Sequence, residues 1–212
     1  MNVLCRLLWG LVLCAGGLSA QIIEFESNGL KYLTMTKGGF TVMFAHLPAQ
    51  LREYSAIQVA VSNGSPITWN IKPEDFQWVR TDGTVIPAVP ARNIVASMVE
   101  RGNRNDVIKL VATYESGLYG ISRVSSTNGY EQRRQAAMAE LGSTRLKAAA
   151  AASAIVMVGT KLVAGQSTDG AIFYHTQGKG LGPGKLVVQA AGETFVFDPE
   201  AGDTSRGTLL KR

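Results

Sequence analysis

The sequence predicts an α+β fold, an antiparallel β-sandwich interrupted by a helical insertion between its early and late strands. Three observations carry that prediction. Strand-forming residues alternate with period two through 40–86, apolar positions at three- and four-residue spacing replace them beyond residue 90, and the alternation returns after residue 170. A chain of 212 residues with 46% hydrophobic content can bury one sizeable core. Strands, then helices, then strands fit most economically on a sheet scaffold carrying a helical excursion. The expected divisions are a signal peptide at 1–20, early strands at 21–89, the insertion at 90–166, closing strands at 167–198 and a flexible tail at 199–212.

The opening segment has one basic residue, Arg6, an apolar run at 7–15, and then Gly16, Gly17, Leu18, Ser19 and Ala20. This is the layout of a secretory signal peptide cut between Ala20 and Gln21. Leu13 stands before Cys14 where a lipoprotein signal needs a small residue, and an uncleaved anchor is the alternative reading. Both cysteines, Cys5 and Cys14, lie in this segment, so the mature chain would hold no disulfide and no thiolate chemistry. Cleavage leaves 20 basic against 16 acidic residues. Export makes nucleic acid an unexpected partner for this mild positive charge.

In the mature chain, FTVMFAHLP sets Phe40, Val42 and Phe44 on one face, and SAIQVAVSNGS sets Ile57, Val59 and Val61 against Gln58, Ala60 and Ser62. Asn63-Gly64-Ser65-Pro66 is expected to turn, because asparagine and glycine tolerate positive φ. A short apolar piece at 68–71 precedes the break at 73–75. Asp82-Gly83 joins 76–80 to 84–86 as a tight hairpin with both central residues at positive φ. Residues 92–100 make a short helix. Asp106 caps another in which Val107, Leu110, Val111, Tyr114 and Leu118 form one apolar stripe. Asn128 with Glu131 caps the next, and the alanine-rich run at 148–159 reads as a buried or docking helix too short to cross a bilayer. The alternation returns after Asp169-Gly170 in the closing strands AIFYHT, KLVVQA and 194–198, with Ala191-Gly192 as the last tight turn. About seven or eight strands are expected in all.

The stretch VAVSNGSPITWNIKPEDFQWVRTDGTVIPAV, with the closing pieces AIFYHT and KLVVQAAGETFVF, resembles exported bacterial immunoglobulin-like domains of uncharacterised function. The resemblance covers about 85 residues in two pieces and implies an immunoglobulin-like sandwich in an exported location. It brings no catalytic residues, and the long insertion departs from the simple pattern.

Standard catalytic motifs are absent from the sequence. His46 and His175 each end a strand-like run, with no HExxH or paired CxxC, so no metal and no cofactor are expected. No serine sits in a G-x-S-x-G corner. The glycines at 178, 180, 182 and 184 are followed by a valine-rich strand where a phosphate cradle needs a helix N-terminus. Glu74 and Asp75 are expected to satisfy a turn, and Glu100 with Asp106 make only a loose carboxylate pair. Basic side chains concentrate in the insertion: Arg101, Arg104, Arg123, Arg133, Arg134, Arg145 and Lys147. Tyr114, Tyr119 and Tyr130 flank the loop ISRVSSTNG, whose composition resembles an adaptable recognition surface.

The expectation is therefore an exported, non-enzymatic binding or assembly module of the cell envelope. Its partner, an unknown protein or an envelope polymer, would meet Tyr114, Tyr119, Arg123, Tyr130, Arg133 and Arg134. The alternative is a peripheral membrane protein docking through its basic, alanine-rich helices. A third reading, an atypical hydrolase, requires a cleft where Glu74, Asp82, His46 or His175 converge.

Overall fold

The computed structural model describes residues 21–103, 105, 108, 111–115, 129, 132–133, 135 and 144–198. The first seven strands, in chain order, are β1 (Ile23–Ser27), β2 (Leu30–Lys37), β3 (Phe40–His46), β4 (Tyr54–Asn63), β5 (Trp69–Ile71), β6 (Phe76–Arg80) and β7 (Val85–Pro87). Two helices follow, α1 (Ala91–Arg101) and α2 (Thr144–Ile155). The chain then forms β8 (Thr160–Leu162), β9 (Ser167–His175), β10 (Gly184–Ala190) and β11 (Glu193–Phe197). One sheet has the order β1-β2-β3-β4-β9, a second the order β11-β10-β6-β7, and β5 pairs with β8 apart from both. All of these strand pairs are antiparallel.

Alternation along the strands of the larger sheet separates two cores. Phe40, Val42, Phe44, Ile57, Val59 and Val61 face the smaller sheet and are buried with Phe76, Trp78, Leu186, Val188, Phe195 and Phe197. On the reverse face Tyr32, Met43, Ala45, Ala60, Ala171 and Phe173 are buried with Ile94, Met98, Ala148, Ala152 and Ile155 of the helices. The larger sheet is thus the middle of three layers. Its helix face is built from alanines, which let the alanine-rich face of α2 come close to the strands. The helical segment covers the sheet, and Ala148, Ala149, Ala152 and Ala154 are all buried. Pro90 precedes α1, and Gly102 ends it, its N–H donating to the Met98 carbonyl at 2.9 Å.

Several local expectations need correction. β1 and β2 add to the strands read from residue 40 onward; Ser27 pairs with Leu30 and Lys37 with Phe40, across Asn28-Gly29 and Gly38-Gly39. Both residues of each two-residue turn are at positive φ. The 76–87 hairpin forms, but only Gly83 has positive φ, and Arg80 N–H donates to the Thr84 carbonyl across a three-residue loop. Asn63 has no positive φ. Its buried amide makes the corner instead, donating to the carbonyls of Ile67 (2.7 Å) and Leu162 (3.0 Å) while its oxygen accepts from Ser65. The strand expected from Ala171 begins earlier, at Ser167, so Asp169 and Gly170 are buried inside β9. β8 lies within the stretch assigned to the insertion, and eleven strands stand among the described residues where seven or eight were expected. Residues 1–20, 199–212, Asp106, Asn128 and Glu131 lie outside the described residues.

Candidate functional site

The two edges of the five-stranded sheet differ. Beyond β9 the edge is covered: Val89 N–H donates to the Phe173 carbonyl (2.7 Å) and Met157 N–H to the Ala171 carbonyl (2.9 Å). Val156 also makes a parallel bridge to Ala171, and Ala88 an antiparallel one to Tyr174. Among the described residues, no strand pairs with the outer edge of β1. On the helix side of β1, Ile23 is 58% and Phe25 38% exposed, with the Phe25 ring stacked on Tyr32 at 5.2 Å. The opposite side carries Glu24 and Glu26 beside Lys31, whose ammonium lies 2.8 Å from Glu24.

A mainly apolar groove of about 270 Å³ opens beside the β1–β2 turn, lined by Leu30, Leu33, Phe44 and Pro48 with Lys31 and His46. The strand alternation explains these neighbours. Leu33 is the cross-strand partner of Phe44, and His46 follows Phe44 on the same face. The imidazole meets Phe44 edge-on at 5.7 Å and Trp78 at 5.0 Å. His46 keeps part of its surface in solvent, and partial desolvation against these rings lowers its pKa below the usual value of 6.5. The groove therefore offers apolar surface and a neutral imidazole at its wall, with charge at the rim. A second open hollow of about 240 Å³ includes Arg80, Gly184, Lys185 and Asp198. There the Arg80 guanidinium already donates to the carbonyls of Leu181 (2.8 Å) and Gly180 (3.3 Å), stitching down the glycine-rich loop.

The residues expected to meet a partner divide into two groups. Tyr119, Arg123, Tyr130 and Arg134, with Arg104, lie outside the described residues. Tyr114, expected at a partner-facing surface, is fully buried, and its hydroxyl donates to the Asp169 carboxylate in β9. Arg133 is half-buried and donates to the Ser153 and Ala154 carbonyls, both at 3.1 Å, in the last turn of α2. A cation satisfies orphan carbonyls there and complements the helix dipole. Arg101, Arg145 and Lys147 are exposed, and Arg101 comes within 3.9 Å of Glu53. Removing the Tyr114 hydroxyl tests the bond between helices and sheet. Tyr114→Phe is expected to cost about 1–3 kcal/mol, the range for a buried hydrogen bond to a carboxyl group. A near-ultraviolet thermal melt should show this as a transition roughly 5 °C lower.

The remaining candidates do not converge. His46 stands in register with Ile57 and Ile172 on the sandwich face, whereas His175 pairs with Tyr54 three positions along β9 and so points to the helix face. Asp75 accepts the Lys72 N–H at 2.9 Å within the turn before β6, and burial raises its pKa. Asp82 accepts the Thr84 N–H at 2.8 Å, which lowers its pKa. No group of three or more metal-ligating side chains occurs among the described residues, and no helix among them is long and apolar enough to cross a membrane.

No protein-family model and no curated protein matches the chain. Among solved structures, it is similar to the yjhA protein from Bacillus subtilis at 10% identity over 87% of each chain, with a TM-score of 0.32. That superposition is too loose to transfer fold or function.

The β1 edge and its groove went unread in the sequence, although the signals are present. Ile23, Phe25 and Leu30, Tyr32 alternate on either side of Asn28-Gly29, a strong hairpin signal.

Proposed function

We propose that the chain is an exported, non-enzymatic binding or assembly module of the cell envelope whose recognition surface is the open β1 edge with the adjoining groove. The carrying observation is the contrast between the two edges of one sheet. Exposed edges invite pairing with other chains, and proteins commonly cover or charge them. Here β9 is covered, while β1 leaves Ile23 and Phe25 in solvent. A peptide adding to such an edge gains main-chain hydrogen bonds, with specificity set by alternate side chains. Glu24 and Glu26 oppose pairing with an identical acidic strand and favour a segment that alternates apolar with basic residues.

An immunoglobulin-like arrangement is part of this reading. The order β11-β10-β6-β7 corresponds to strands G-F-C-C′, and β3-β4-β9 to A-B-E. The helices then stand between C′ and E, with β1 and β2 extending the sheet beyond A. The buried alanine tract leaves Arg145, Leu146 and Lys147 exposed at the start of α2, a small surface for docking on lipid.

Site-specific photo-crosslinking in the producing cell tests the proposal. A photoreactive residue at Phe25 should give a discrete adduct with an envelope component, and one at Val85, exposed on the smaller sheet's edge strand, should not. No adduct at Phe25, or equal labelling from both positions, would refute the assignment of β1 as the recognition edge.

A further inference from the structure

The last strand ends beside the groove wall, and Asp198 after it lines the second hollow with Arg80 and Lys185. β11 runs beside β2 towards the groove: Lys37 Nζ donates to the Thr194 carbonyl at 2.5 Å, Phe195 lies against Phe40 at 6.1 Å, and Phe197 against Phe44 at 5.2 Å. Phe44 is itself part of the groove wall, and Asp198 follows Phe197 directly. Phe197, the last residue of β11, therefore stands next to a wall of the groove. In PEAGDTSRGTLLKR the large apolar residues are Leu209 and Leu210, with Arg206 before them and Lys211 and Arg212 after. The groove offers the matching chemistry, an apolar wall of Leu30, Leu33, Phe44 and Pro48 near the carboxylates of Glu24 and Glu26.

We propose that Leu209 and Leu210 seat in this groove of their own chain, with Lys211 and Arg212 towards Glu24 and Glu26. The 10 residues between Asp198 and Leu209 reach about 30 Å when extended. Closing a loop of that length costs little more than closing a shorter one. Tethering presents the leucines at an effective concentration on the order of millimolar, so modest apolar contact suffices. The inference goes beyond the binding reading and does not depend on export. It makes the tail an internal competitor for any segment that uses the groove.

Nuclear magnetic resonance of the full chain tests it, with Leu209→Asp/Leu210→Asp as the variant. The parent should show cross-relaxation between leucine methyls of the tail and the rings of Phe44 and His46, lost in the variant. Amide resonances of Gly29, Lys31 and His46 should shift between the two proteins. Those of Gly83 and Gly192, in other turns, should hold still and report an intact fold. All of these differences should be independent of protein concentration. Unchanged groove resonances would overturn the proposal. A difference that grows with concentration would assign the occupant to another copy's tail and overturn it equally.

Discussion

Replacing Gly170 with alanine is expected to break the attachment of the 156–158 segment to β9. A Cβ at this position would lie 2.5 Å from Met157 Cα and 2.7 Å from Met157 N, both backbone atoms that no side-chain rotation can move away. The segment must shift, and with it goes the Met157 N–H bond to the Ala171 carbonyl. Overpacking and a disrupted buried hydrogen bond together cost about 3–5 kcal/mol. For a domain of this size that lowers the thermal midpoint by roughly 10 °C or more. Gly165→Asn is the control, because that glycine has positive φ but open space around its missing Cβ. Its cost should be about 1 kcal/mol. A G170A melt superimposable on the parent's would show that the close approach is not obligatory.

Trp78→Ala should have an effect of similar size from the other core. Trp78 is 1% exposed, paired across β6 with Leu186 and Ile86, and its ring supports His46. Emptying that volume costs about 3–5 kcal/mol. Trp78→Phe should cost much less, about 1–2 kcal/mol, because it retains most of the apolar body. The indole N–H is buried without a hydrogen-bond partner among the described residues, so phenylalanine forfeits no bond to them. Urea titrations followed by far-ultraviolet circular dichroism would rank the three proteins. Removing the indole should also raise the His46 pKa towards its ordinary value, since partial desolvation is what depresses it. Equal losses for alanine and phenylalanine would mean that the indole nitrogen itself carries a stabilising interaction.

The strands whose large residues alternate with polar or small ones were legible. Phe40, Val42 and Phe44, like Ile57, Val59 and Val61, face the sandwich core as their spacing requires. The Ala191-Gly192 turn and the burial of the alanine tract were legible for the same reason, local chemistry that agreed with its tertiary setting. The double burial of the middle sheet was not. In β4 the residues opposite the large ones are Ala56, Gln58 and Ala60, which read as an outward face. Those alanines instead make room for helices, and Gln58 is buried there, its amide oxygen accepting from the Tyr32 hydroxyl at 3.1 Å. Small side chains do not declare whether they face water or a closely packed backbone. Asp169 shows the same limit: a hydrogen bond from Tyr114, 55 residues away, helps make a buried aspartate tolerable in mid-strand.

The unequal edges also bear on stoichiometry. A sheet that can grow at both margins can propagate into a filament, one copy after another, whereas the five-stranded sheet is already terminated at β9. A single strand added to β1 would therefore complete it, and growth would continue only if the newcomer presented a free margin of its own. On the proposed reading the chain would act through this sheet as an end piece, closing a one-to-one complex or capping a longer array, and would not serve as its repeating interior unit.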